Sequence, residues 1–169
     1  MRPDKVVMFR RLQDLDEATR SRAIIVYSDG SSSGRENKPG GWGYVVVKDD
    51  LPVDANCGGH PRTTNNVMEM EAAIQGLVSV MRLGLHKLGR KLILCSDSQY
   101  VLGIGSGQYT PSKNLDQATK LRALVSRLDV DTRWIRGHSG ERWNERADRL
   151  AGYGKEKAGG PPQKRRTKK

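Results

Sequence analysis

Cysteine is nearly missing from this sequence. Cys57 and Cys95 are the only two in 169 residues, they lie far apart, and neither belongs to a CxxC pair. A cysteine zinc site is therefore excluded, and Cys95, inside the apolar run "LILCS", reads as a buried reduced thiol. Histidine is equally scarce, and His60, His86 and His138 do not fall at metal-ligand spacings with the cysteines. No apolar run approaches the roughly 18–20 residues that a bilayer span requires. The first 22 residues scatter charges where a signal peptide would carry an apolar stretch. The expectation is a protein without membrane partners, in the cytoplasm, or in the nucleus if the host is eukaryotic.

What is abundant is positive charge. Hydrophobic residues make up 36%, and the formal net charge is +11. Residues 155–169 hold seven lysines and arginines against one acid, Glu156, which leaves +5 for the 154 residues before them. Such basicity points to a polyanionic partner, most often nucleic acid, without naming a reaction. The length suits one domain with a real core. Residues 1–22 read as an extension, with room for a short helix near 10–20. Residues 23–157 form the domain, and 158–169, rich in Gly, Pro, Lys and Arg, are expected to be disordered.

Apolar runs predict strands at 23–29, 42–48, near 52–59, 91–96 and 130–136. Residues 30–41, "GSSSGRENKPGG", read as a turn-rich loop. Val67, Met70, Ile74, Leu77 or Val78, and Met81 recur at helical spacing and predict a helix over 65–84. Further helices are predicted after Asp97 (short, broken by Gly103, Gly105 and Gly107), over 114–128 and over 141–157. The order βββαβααβα implies a mixed sheet with helices on its faces.

Four acids stand out against this framework. Asp29 and Asp97 each end a buried run, "IIVYSD" and "LILCSD", at the sheet edge where open α/β sheets bind ligands. Glu69 shares a helix face with the small residues Ala73 and Gly76, which would let the helix approach the sheet and turn Glu69 inward. Glu71, about 200° around at roughly 100° per residue, should face water. Asp148 shares a face with Asn144. Together these carboxylates would repel one another unless hard divalent ions lay among them, and two such ions can support an in-line phosphoryl displacement. Taken singly, each acid has a plainer explanation: Asp29 and Asp97 as turn formers, Glu69 as a first-turn acid, Asp148 as the partner of Arg146 or Arg149. A metal-dependent nuclease is one reading among several at this level.

The wording of the motifs narrows the choice. "YSDGS", "TTNNVMEMEAA", "CSDSQYV" and "GHSGERWNERADRLA" occur in that order over about residues 23–155, and the chain thereby resembles type 1 ribonuclease H. The resemblance implies an α/β ribonuclease H-like fold, in which a five-stranded mixed sheet, a three-strand antiparallel meander plus two further strands, carries helices on both faces. It implies endonucleolytic hydrolysis of the RNA strand of RNA–DNA hybrids, leaving 5′-phosphate and 3′-hydroxyl ends, by two Mg²⁺ ions for which Mn²⁺ can substitute. Asp29, Glu69, Asp97 and Asp148 match the family's metal-binding carboxylates. His138, flanked by Gly137 and Gly140, matches a loop histidine that shuttles protons or releases product. Asn65, Asn66 and Gln99 match groups that read the minor groove, where the 2′-hydroxyl distinguishes RNA from DNA. Thr64, with Asn66, matches a phosphate grip on the DNA strand, and Gly30 and Ser31 join the substrate-binding set. A monomer is expected.

Two features depart from the family pattern. The basic handle of longer members is absent, since only "GIGSGQYTPSKNLDQATK" follows the "DSQYV" stretch. The loop 30–41 is longer than usual, so Asn37 need not occupy the customary polar position. The basic tail, helped by Arg10, Arg11, Arg20 and Arg22, could substitute for the handle through counterion release. Trp134 and Trp143 read as packing residues rather than base-stacking platforms. The competing functions are a non-catalytic hybrid-binding module, which has no reason to keep repulsive acids, and a resolvase or exonuclease on the same sheet, which would not need the Asn-Asn and Ser-Gln pairs.

Overall fold

The structure is a computed structural model that describes residues 9–34 and 36–161. A short helix α1 (Glu17–Arg22) precedes strands β1 (Ile24–Ser32), β2 (Lys38–Lys48) and β3 (Leu51–Thr63). There follow α2 (Asn65–Arg82), β4 (Leu92–Ser96), α3 (Gln99–Ser106), α4 (Leu115–Arg127), β5 (Val130–Trp134) and α5 (Arg142–Lys157). The sheet order is β3-β2-β1-β4-β5. The first three strands form an antiparallel meander, and β4 and β5 add in parallel beyond β1.

β1 sits in the centre, buried on both faces, which is why its sequence is a continuous apolar run rather than an alternating one. Ile24 and Val26 face a core built with Met70, Ile74 and Leu77 of α2, Ile104 of α3 and Leu121 of α4. Ile25 and Tyr27 face the opposite core with Val45, Ile93, Cys95 and Ala147 of α5. The helical spacing expected in α2 resolves in favour of Leu77, 1% exposed, over Val78, 36% exposed.

The two faces are covered differently. On the second face α5 buries Asn144, Ala147, Ala151, Gly152 and Gly154, and it lies directly on strand backbone. A Cβ at Gly43 would stand 2.6 Å from Leu150 Cβ and 2.7 Å from the Ala151 nitrogen. One at Gly41 would overlap the Ala151 carbonyl oxygen and the Lys155 nitrogen. These glycines form a seat that fixes the depth of α5. The rest of this face is closed by the N-terminal segment, whose Leu12 is 2% exposed against Ile25, Tyr27 and Ile93.

Two expectations change. The stretch 30–41 is not a free loop, because its small residues extend the ladder. Ser31 pairs with Gly41 and Ser32 with Gly40, so the hairpin narrows to residues 33–37. In α3, Gly103 and Gly105 do not break the helix. Gly103 packs under the Tyr109 ring, and only Gly107, at φ +80°, ends the helix in the left-handed region. The basic tail from residue 162 onward, with Lys164, Arg165, Arg166, Lys168 and Lys169, lies outside the described residues.

The seat makes a stability prediction. Gly41→Ala should cost roughly 1–3 kcal/mol or more through overpacking. A thermal melt would read this as a lowered Tm, whereas an unchanged Tm would mean that α5 is not held by this contact.

Candidate active site

β1 and β4 run together only from the pair Ile24↔Leu92 to Tyr27↔Cys95. Beyond it β1 continues along β2 alone. Asp29 and Asp97 each stand two residues past that last shared pair, Asp29 still on β1 and Asp97 just beyond the end of β4. They are neighbours at the point where two parallel strands part, which is where an open sheet leaves a cleft. Glu69 arrives from the other direction, in the second turn of α2. Gly30 makes that approach possible, since a Cβ there would overlap the Glu69 nitrogen and stand 2.6 Å from the Met68 carbonyl carbon.

One oxygen from each of Asp29, Glu69 and Asp97 lies within 4.8 Å of the others. Asp29 and Glu69 are 5% and 6% exposed, and Glu69 Oε2 has no hydrogen-bond partner. Burial pushes the Asp29 carboxyl far above the usual carboxylate range, and Glu69, Asp97 and Asp148 push it further. Glu69 is raised by burial and then by Asp97. Asp97 is raised by burial and by Asp148, with His138 pulling the other way. Asp148, half-buried on α5, lies outside the three-oxygen group, yet it acts on the ionisation of Asp29 and Asp97. Among the described residues it takes part in none of the ion pairs, so the arginine-partner explanation for it does not hold. Glu71 is engaged elsewhere, accepting from Gln75 Nε2 at 2.7 Å and Gln117 Nε2 at 3.1 Å.

The remaining predicted residues lie outside the three-oxygen group. Thr64 caps α2, its hydroxyl accepting from the Val67 N–H at 3.3 Å. Asn65 and Asn66 are exposed in the first turn, and Gln99 is exposed at the first position of α3. Ser31 is half-buried on β1. Thr64 and Asn66 also line a groove of about 990 Å³ with Asn37, Arg62, Tyr100 and Lys113. Asn37 therefore shares a groove with the predicted phosphate grip despite the lengthened hairpin. His138 is exposed, at φ 55°, on the stretch between β5 and α5.

The RNase H family signature matches residues 21–156. The chain belongs to the ribonuclease H family. It is 39% identical over 144 residues to ribonuclease HI of Caulobacter vibrioides, an alignment covering 78% of this chain and 91% of that protein. Among solved structures, the N-terminal RNase H domain of a Mycobacterium tuberculosis protein, determined as a fusion with maltose-binding protein, superposes with a TM-score of 0.71 at 27% identity, covering 82% of this chain and 97% of that one. LC11-RNase H1 in complex with an RNA/DNA hybrid superposes with a TM-score of 0.69 at 24% identity, covering 80% of this chain and 98% of that one, a likeness of fold.

Within this ribonuclease H fold, supporting residues emerge that sequence patterns did not single out. Trp134 Nε1 donates to the Asp97 carbonyl oxygen at 3.2 Å, so this tryptophan holds the acid's backbone as well as packing. Ser98 caps α3 and accepts from Val101 N–H at 3.2 Å, fixing the chain directly after Asp97. Gly137 keeps the loop close, since a Cβ there would stand 2.9 Å from Asp97 Oδ2. The tryptophan contact joins distant parts of the chain and leaves no local sequence signal.

Raised carboxyl values have a consequence for the metal-free protein. Unfolded carboxyls titrate near 4, so between that pH and the raised folded values the native state holds more protons than the unfolded one. Stability from these groups is then greatest at or below about pH 4 and falls as pH rises through the folded values. Asp29→Asn should raise the metal-free Tm at pH 8 by about 2–4 °C for each kcal/mol of repulsion removed. Mg²⁺ should raise the unsubstituted protein's Tm more than the variant's. Calorimetry in chelator and in Mg²⁺ measures both, and an Asn variant less stable than the parent without metal would contradict the reading.

Proposed function

We infer that this chain, as a ribonuclease H, is an endonuclease that hydrolyses the RNA strand of RNA–DNA hybrids, and we propose that Asp29, Glu69, Asp97 and Asp148 form its metal-binding centre. The observation that carries the assignment is the meeting of three carboxylates within 4.8 Å, two of them buried and one of these with an orphaned oxygen. An all-oxygen, anionic donor set fits hard divalent cations and is costly without them. When bound, two Mg²⁺ ions, or Mn²⁺ in their place, would supply an activated water and charge neutralisation at the leaving oxygen.

The chain's own groups do the rest. Asp29 and Asp97, fixed by the central strands, and Glu69, fixed by α2, form a rigid floor that needs no rearrangement when the scissile phosphate arrives. Asn65, Asn66 and Gln99, displayed at two helix N-termini, read the minor groove and its 2′-hydroxyls. Thr64 and Asn66 grip a phosphate of the DNA strand in the adjoining groove, while Gly30 and Ser31 let the RNA backbone approach β1. Water adds to phosphorus as the P–O3′ bond breaks, and an imidazole nitrogen of His138 carries a proton to or from the reacting oxygens. The products are a 5′-phosphate and a 3′-hydroxyl. The protein acts as a monomer.

A non-catalytic hybrid-binding module is the second reading. It is disfavoured by Glu69, since a binder gains nothing from burying an unpaired carboxylate oxygen.

Labelled hybrid, duplex DNA, duplex RNA and single strands, each with and without Mg²⁺, test the proposal directly. Only hybrid should be cut, and only with metal. Asp29→Asn and Asp97→Asn should lower kcat by about 10³-fold or more while hybrid binding persists. Glu69→Gln should be severe and Glu71→Gln within about threefold of the parent, because Glu71 contacts Gln75 and Gln117 instead of the cluster. Equal loss from both glutamate substitutions would refute the assignment of Glu69.

A further inference from the structure

The stretch 135–141, which carries His138, leaves β5 at Trp134 and enters α5 at its N-cap, Glu141. Both of its ends are held by the N-terminal segment. At the first end, Arg11 forms a parallel bridge to Trp134. The Trp134 N–H donates to the Arg10 carbonyl at 2.7 Å, Arg133 Nη1 donates to the Arg11 carbonyl at 3.3 Å, and the Arg11 guanidinium lies 5.5 Å over the Trp134 ring. Buried Leu12 anchors this strap in the core. At the second end, Arg20 of α1 pairs with Glu141 Oε1 at 3.7 Å. The other oxygen of the same carboxylate accepts the Asn144 N–H at 2.6 Å and so caps the helix that carries Asp148. Burial works against the charge on Arg20, but Tyr27 and Glu141 outweigh it, so its pKa is shifted upward.

We propose that residues 9–22 clamp the two ends of the His138 loop, with Arg20 acting through Glu141 as a positioning residue for catalysis. A stretch of seven residues with both ends fixed has few conformations left to lose, so the range of positions open to His138 is narrowed. The geometry singles out Arg20 because it links an element outside the sheet to the carboxylate that starts α5. The clamp also explains why these basic residues are poor candidates for a free phosphate-binding arm: Arg11 is stacked and Arg20 is paired.

The proposal rests on the hybrid-hydrolase reading, and its test separates the two. In the full-length chain, Arg20→Ala should speed amide hydrogen exchange over residues 136–141 by about tenfold and lower kcat by about three- to tenfold with KM nearly unchanged. Arg20→Lys should restore much of both. In a His138→Ala background, Arg20→Ala should lower kcat no further, because the two act through one loop. Unchanged kcat in Arg20→Ala overturns the proposal whatever happens to Tm, and so does a kcat loss without faster loop exchange. A parent protein that fails to cut hybrid in Mg²⁺ would instead remove the functional reading, while the exchange measurement still decides whether the clamp exists.

Discussion

Forcing like charges together is the constraint on which this structure turns. Three carboxylates, two of them almost fully buried, share a space in which one oxygen from each lies within 4.8 Å of the others. In water they would separate. Here the central parallel pair, β1 beside β4, places Asp29 and Asp97 side by side, and α2 places Glu69 above them. None of the three can retreat without breaking a strand or lifting a helix. Core burial on both faces of β1 supplies the opposing free energy, on the order of 1.5–3 kcal/mol for each fully buried large aliphatic or aromatic side chain. The carboxylate cluster is thus a strained spot that the surrounding core stabilises.

Much of this was legible in the sequence, for identifiable reasons. A central strand buried on both faces must read as an uninterrupted apolar run, so "IIVYSD" and "LILCSD" announce themselves along with the acids that end them. Glu69 could be separated from Glu71 by angle alone, and Glu69 does turn into the buried cluster, but Glu71, expected to face water, is half-buried and hydrogen-bonded to Gln75 and to Gln117 of α4. The same sequence logic failed where small residues served two masters. Gly103 and Gly105 looked like helix breakers, but Gly103 is a flat place for the Tyr109 ring. Ser31, Ser32, Gly40 and Gly41 looked like a loop and are ladder residues. A glycine's local preference is weak, and a tertiary contact easily overrides it.

The glycines of β2 and the small residues of α5 share a purpose that no periodicity could reveal. Large side chains between helix and sheet would hold α5 near the roughly 10 Å spacing of packed layers. Removing them brings α5, which carries Asp148, onto strand backbone. Such close seating leaves little apolar side chain to fill that face of the sheet. The N-terminal segment fills it, with Leu12 in the core and Leu15 packed against it. The extension that had no evident meaning in the sequence is therefore a consequence of how α5 is seated.

That consequence reaches the chemistry. Once Leu12 is buried beside β5, the backbone of Arg10 and Arg11 must satisfy its hydrogen bonds somewhere, and the free edge of β5 at Trp134 is the nearest supply. Trp134, pinned there, turns its indole N–H to the Asp97 carbonyl. Packing on the second face of the sheet, edge pairing at β5 and the position of Asp97 are in this way successive solutions to one problem, the covering of a face on which a glycine-seated helix leaves too little to bury. The acid cluster and the segment that closes the core are not separate features of the chain, because moving either one moves Asp97.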